Sequence, residues 1–164
     1  MGAVAKAEEN LAVIVDSDAN AERLNVSWGH VKTIIDGTTV DGDELSVWRL
    51  HELRKSAVRV LRELRLGRSP RLSTVAGGAL VEADESLDVP VRAMDFLVRA
   101  TQSEADPAYI RHQVGGYLAH HGYPWLWVPH RLDADYRRAL VACLRQGDGN
   151  LMASVLVASI ERGQ

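Results

Sequence analysis

The sequence predicts an all-α protein, a compact single-domain helical array with one short extended segment near residues 123–128. Two observations predict it. Apolar residues recur every three or four positions through nearly every stretch between turn signals, the period of a helix with one buried face. The one candidate strand, Tyr123 to Val128, is broken by Pro124 and followed by Pro129, which disfavours it as the centre of a ladder. At 164 residues the chain is long enough to bury roughly 70% of its extended surface as one unit.

Taken in order, residues 1–35 supply N-terminal helices. Ala3 to Asp16 is apolar and helix-prone, Ser17-Asp18 offers a break, and Asn20 to Ile35 follows with Leu24, Val26, Trp28, Val31 and Ile34 near helical period. Residues 36–121 supply the core helices. Asp36-Gly37 and Asp41-Gly42 are turn signals, and Asp43 caps a long helix to Leu66. Its buried side is read as Leu45, Trp48, Leu50, Leu53, Val58, Leu61 and Leu64, and Gly67 stops it. Arg71 to Ala83 is read as a helix despite Gly77-Gly78, which cost about 1 kcal/mol each relative to alanine. Asp88 and Pro90 begin a helix through Gln102, and Asp106-Pro107 opens another that ends at His121-Gly122. Residues 122–164 supply the extended segment and two closing helices, the first from Asp133 or Asp135, the second after Gly147-Asp148-Gly149-Asn150.

Composition narrows the function classes. Nineteen basic against twenty-two acidic residues leave no excess for a phosphate backbone, so no nucleic-acid partner is expected. The basic run Arg54, Lys55, Arg59, Arg62, Arg65 and Arg68 has helical spacing and interleaved Glu52 and Glu63, the pattern of a solvated face. A single cysteine, Cys143, rules out an internal disulfide and reads as a small core residue. No apolar run approaches ~20 residues and the N-terminus lacks a signal pattern, so a cytoplasmic protein without a membrane partner is expected.

His112, His120, His121 and His130 cluster around Gly122. His112 and His120 share a helix face but stand two turns, ~12 Å, apart. No ligand spacing for a metal appears, so neither metal nor cofactor is expected. Trp125 and Trp127 share one face of an extended segment, either packed on the terminal helices or half-exposed as a partner anchor. With His121 and Tyr123 they make the candidate binding surface, and an exposed aromatic pair there would favour a homodimer.

Three places, in order, resemble the Fic (Fic/Doc) family and together span about half of the chain. Ile35-Asp36-Gly37-Thr38-Thr39-Val40-Asp41-Gly42 leading to Leu45 is similar to its Gly-x-x-Val-x-Gly stretch; Val89-Pro90-Val91 with Met94 is similar to its helix before the core. The tail Gly122-Tyr123-Pro124-Trp125-Leu126-Trp127-Val128-Pro129, then Tyr136, Ala139-Leu140 and Gly147-Asp148, is the third. The family transfers AMP from ATP to a protein hydroxyl, using a loop His-Pro-Phe-x-Asp-Gly-Asn-Gly-Arg that this chain lacks. Counting back from Gly122 without gaps sets Ala100 at the histidine, Glu104 at the metal-ligating aspartate, Ala105-Asp106-Pro107 at Gly-Asn-Gly and Arg111 at the second arginine. A second alignment deletes the loop outright.

Either way the resemblance implies a lost activity. Alanine accepts no proton, Pro107 offers no N–H to a phosphate, and Asp106 brings negative charge to the anion position. The span from Arg71 to Val89 is shorter than the family's, which implies that its hairpin flap is missing. The family's inhibitory helix ends in Glu-Gly or Glu-Asn, and Ile35-Asp36-Gly37 resembles it, so either Asp36 pairs with Arg111 or it simply forms the turn with Gly37. Two functions follow. The first is a catalytically inactive binding, regulatory or oligomerising module whose partner is itself or another protein. The second is a scaffold reassigned to another reaction on a small molecule, with Arg111, His112 and His120 as catalytic groups.

Overall fold

A computed structural model describes residues 2–38, 40–126 and 132–162. Among them are eight helices and one hairpin: α1 (Ala3–Glu9), α2 (Leu11–Ala21), α3 (Trp28–Ile35), α4 (Glu44–Arg65), β1 (Ser73–Ala76), β2 (Ala79–Glu82), α5 (Val89–Gln102), α6 (Pro107–His120), α7 (Asp133–Gln146) and α8 (Asn150–Arg162). Mostly helical structure is therefore as the periodicity predicts. None of these helices is long and apolar enough to cross a membrane.

The caps expected at Asp43 and Asp106 form, whereas Asp88 precedes α5 without a side-chain capping bond. The Asp43 carboxylate accepts from the Ser46 N–H at 3.0 Å and starts α4. Ser27 and His30 exchange side-chain and backbone hydrogen bonds in a capping box that starts α3, the imidazole standing where Glu or Gln is usual. The Asp106 carboxylate accepts from the N–H groups of Ala108 and Tyr109 and starts α6.

The structure departs from the sequence reading in four places. The helix read from Asn20 to Ile35 is divided, with α2 ending at Ala21 and α3 beginning only at Trp28. The first break falls at Asn10, and α2 runs straight through Ser17 and Asp18, which are buried. Leu45 and Trp48 face solvent, 80% and 60% exposed, because the buried stripe of α4 is Ser46, Leu50, Leu53, Ala57, Leu61 and Leu64. Arg71 to Ala83 is a hairpin, not a helix. Gly77 and Gly78 both have positive φ (59° and 78°), the requirement of a two-residue turn of the primed type, and a conformation that no helix holds. The register pairs Ala76 with Ala79, Val75 with Leu80, Thr74 with Val81 and Ser73 with Glu82. The hairpin is fastened to the helices by buried Val81, by the Gln113 amide donating to the Arg71 and Ser73 carbonyls, and by Arg99 donating to the Glu82 carbonyl. Its presence corrects the expectation that this span is too short to hold one.

α6 is the axis of the array. It packs against α4 on one side and α5 on the other, and Ile110–His112 and Val114–Ala119 are all buried. One cluster joins α5, α6, α7 and α8 through Phe96, Leu97, Ile110, Leu118, Tyr136 and Leu156; Cys143 lies within it as expected. A second joins α2, α3 and α4. Close approach to α6 depends on two glycines. A Cβ at Gly116 would lie 2.3 Å from Val60 Cγ1 and 2.7 Å from Pro70 Cγ, and one at Gly115 would lie 2.6 Å from the Trp125 indole.

This sets two effects against each other in Gly116→Ala. Helix propensity alone favours alanine by about 1 kcal/mol. Overpacking a core typically costs about 1–3 kcal/mol, and at 2.3 Å the clash is with a β-branched side chain on a neighbouring helix. Net destabilisation is expected in urea denaturation; a variant as stable as the wild type would show that α4 shifts without penalty.

Candidate functional site

The helical period places one carboxylate where an apolar residue belongs. Leu11, Ile14, Val15 and Asp18 make the inward stripe of α2, and Asp18 reaches the core. One Asp18 oxygen accepts from Arg111 Nη2 at 2.7 Å and from Arg111 Nε at 3.1 Å; the other lies 2.5 Å from His112 Nε2. Arg111 and His112 are 3% and 1% exposed. Arg111 Nη1 also donates to the Tyr136 hydroxyl of α7, and its guanidinium lies 5.0 Å from that ring's centroid. On the far side His112 Nδ1 meets Ser56 Oγ of α4 at 2.7 Å. Burial alone would raise the Asp18 carboxyl; His112 and Arg111 outweigh it and hold the group below the usual carboxylate range. Burial raises the Tyr136 phenol, against the opposing pull of Arg111.

Asp18, His112 and Ser56 thus stand in the order of a carboxylate–imidazole–hydroxyl relay. An ionised carboxylate only accepts, so Nε2 carries a proton, and in the neutral ring Nδ1 accepts from Ser56. Geometry denies the relay a substrate. Ser56 lies in the middle of α4, where backbone N–H groups are spent on the helix and form no oxyanion hole. Neither of the two clefts described below is bordered by Ser56.

A cleft of about 610 Å³ opens beside the network, between the end of α2, the α5–α6 turn and α7. Ala105, Pro107, Leu140 and Leu144 give it apolar walls, with Arg111 and Tyr136 at its floor. Arg49 bridges its rim. It holds Glu22 at 2.7 and 2.9 Å, and both Asp106 oxygens at 3.0 and 3.1 Å. Arg49 holds the Asp106 carboxyl below its usual value, although burial alone would raise it. A second cleft, about 410 Å³, lies at the foot of the hairpin beside Arg71, Arg92 and Tyr117.

Of the sequence-selected residues, Arg111 and His112 come together, but His120 does not join them: it is exposed at the C-terminal end of α6. His121 and Tyr123 are exposed; the His121 ring lies tilted against Tyr117 at 4.6 Å between ring centroids, and burial, with His120 and Arg92, lowers its pKa. Trp125 is not a surface anchor. It is 5% exposed, packed on Gly115 and 6.3 Å from the His112 ring, because glycine leaves room for the indole. The dimer expectation loses that ground. Trp127 and His130 lie outside the described residues. Asp36 ends α3 and is not among the partners of Arg111, whose carboxylate is Asp18. Sequence reasoning missed Asp18, Ser56, Arg49 and Glu22; only Asp18 carried a signal, an acid in apolar register. Among the described residues no group of three His, Cys, Asp or Glu is placed to hold a metal ion.

No family model, curated protein or solved structure matches the chain.

Removing one member of the buried pair leaves the other charge uncompensated, so Asp18→Asn is expected to cost about 3–5 kcal/mol in urea denaturation at pH 7. The native Asp18 carboxyl titrates below its unfolded value. Its contribution is therefore fully present above that unfolded value, about 3.9, and is lost as pH falls through the depressed native one. The gap between wild type and Asp18→Asn should accordingly narrow below about pH 4; a gap that widens on acidification would contradict the pairing.

Proposed function

We propose that the chain is a catalytically inactive Fic-like protein, a helical scaffold that binds a partner protein and transfers no AMP. One observation carries this reading: each group in the cleft that would hold a phosphate already holds one of the chain's own carboxylates. Arg111 is spent on Asp18, Arg49 on Glu22 and Asp106, and the α6 N-terminus on Asp106. Ala100, at the histidine's place, is fully buried. A nucleotide would have to displace three carboxylates and meet their repulsion as it entered.

The hairpin supports the partner half of the proposal. In the family this flap docks target segments by strand pairing, and here a hairpin stands between α4 and α5. Its outward cross-strand pair, Val75 and Leu80, is apolar and 72% and 61% exposed. Counting from the closing pair at Ala76 and Ala79, the antiparallel alternation turns the backbone groups of Val75 and Leu80 outward, the template an extended peptide needs. Self-association, for its part, would use the exposed Val141, Leu144, Leu151 and Val157 of α7 and α8. Light scattering that gives 18.0 kDa across a wide concentration range would exclude it.

A reassigned enzyme using Arg111, His112 and His120 has the open cleft in its favour. Against it, Arg111 and His112 are locked to Asp18 and His120 lies more than two turns away.

Two measurements test the proposal. Labelled ATP with a cell lysate should give no label that depends on this chain, and calorimetry should give no saturable ATP binding; label would refute inactivity, and binding would refute the occupied anion site on which the proposal rests. Peptides selected on the immobilised chain should lose binding to Val75→Pro, which deletes an outward N–H while leaving the turn's own bonds. Peptides bound equally by both forms would remove the hairpin from the interface.

A further inference from the structure

Five helices here end in the same way: the N–H of the second residue past the cap returns to a carbonyl five residues back, and the first residue past the cap takes positive φ. The returning bonds are Leu24 to Ala19, Thr38 to Thr33, Arg68 to Glu63, Ala105 to Ala100 and Tyr123 to Leu118. Glycine is the usual residue at the positive-φ place because a Cβ crowds the neighbouring carbonyl there. Gly37, Gly67 and Gly122 obey this. The exceptions are Arg23 (φ 54°) after α2 and Glu104 (φ 66°) after α5. Both strained positions carry a charged, solvent-exposed residue at the border of a cleft. An unfavourable backbone kept at a cavity, where glycine serves elsewhere in the same chain, points to use of the side chain.

We propose that the cleft beside Asp106 is a binding site for a small organic cation, an ammonium group on an apolar body, and that Glu104 is its counter-charge. The cavity, about 610 Å³, lies within the roughly 300–1,000 Å³ of small-ligand sites. Ala105, Pro107, Leu140 and Leu144 offer the apolar body its walls. Charge selects the sign. The lining carries three carboxylates (Glu22, Glu104, Asp106) against two guanidiniums (Arg49, Arg111), and a fourth carboxylate, Asp18, lies behind Arg111. Both arginines already hold carboxylates, so an anion finds no free cation. Glu22 and Asp106 are held by Arg49, whereas Glu104 is in none of these bridges and is the charge left for a ligand. This site does not rest on the Fic-like reading and stands whether or not that reading survives.

The test uses the full chain, labelled with nitrogen-15, and two probes of matched shape: 2-phenylethylammonium and 3-phenylpropionate. The ammonium probe should give saturable shifts at the amides of Ala105, Leu140 and Leu144, and the carboxylate probe none. Glu104→Gly should fold and melt at or above the wild-type temperature, because it relieves the strained position, yet weaken the ammonium probe by about tenfold or more through loss of the charge. Glu104→Gln, which keeps the strained backbone, should weaken it similarly. The proposal is overturned if the carboxylate probe binds as well, if the ammonium probe gives no saturable shift, or if Glu104→Gly binds it unchanged. A lower melting temperature for Glu104→Gly would remove the strain argument and with it the assignment of Glu104.

Discussion

A single carboxylate, that of Asp18, determines how the helices meet. It accepts from two consecutive residues of α6, and through them reaches the Tyr136 hydroxyl of α7 and Ser56 of α4. Four helices therefore share one buried polar cluster: α2 and α6 cannot turn about their axes without stranding a charge, and α4 and α7 cannot without breaking a hydrogen bond to it. Apolar packing is tolerant of small rotations; an unpaired buried charge is not. α6 could not otherwise be central. A helix buried all round is normally apolar all round, yet α6 carries Arg111, His112 and Gln113 in its middle. Pairing makes the first two tolerable, and the glycines that follow let neighbouring helices come close.

The same economy of charge shapes the cleft. Arg49 ties the exit of α2 to the start of α6 through Glu22 and Asp106, and Asp106 also caps α6. Both guanidiniums that line the cleft are thereby committed to the fold, which leaves a cavity with apolar walls and a surplus of acid. Its floor is rigid, because Arg111 and Tyr136 belong to the buried cluster. A preformed cavity of that kind binds by shape and by whatever charge is left unpaired, without reorganising the core.

Much of the fold was legible in the sequence because it is written locally. Caps at Asp43 and Asp106, stops at Gly67 and Gly122, and helical period in α4 and α5 each lie within a few residues of what they specify. The hairpin was misread for the same reason: Gly77-Gly78 is penalised in a helix and required in a primed turn, and the apolar alternation around it is only four residues long on each side. The exposed Leu45 and Trp48 were misassigned because hydrophobic identity alone does not fix the phase of a stripe. The candidate site was less legible. Arg111 and His112 stood out, but their partner Asp18 lies 93 and 94 residues away. No local pattern encodes a distance of that kind; the one trace was an acid in apolar register. Trp125 was open to two readings, and only Gly115 beneath it decides for burial.

On the Fic-like reading proposed above, loss of the chemistry and stiffness of the core are one event. A catalytic loop must leave backbone N–H groups free at a helix start, and its histidine accessible at the end of the preceding helix. Here α5 ends at Gln102 in a tight capped turn and α6 begins five residues later, at Pro107, with a carboxylate on its first free amides. A helix start that binds its own aspartate is stable without ligand, whereas an empty anion site leaves those amides to water. Drawing Arg111 inward to Asp18 has the same sense: a cation aimed at a phosphate contributes to binding only when the phosphate is present, and one aimed at a buried carboxylate contributes to folding always. The residues that would make an anion site are spent on the scaffold, and what the cleft retains is shape, apolar wall and Glu104.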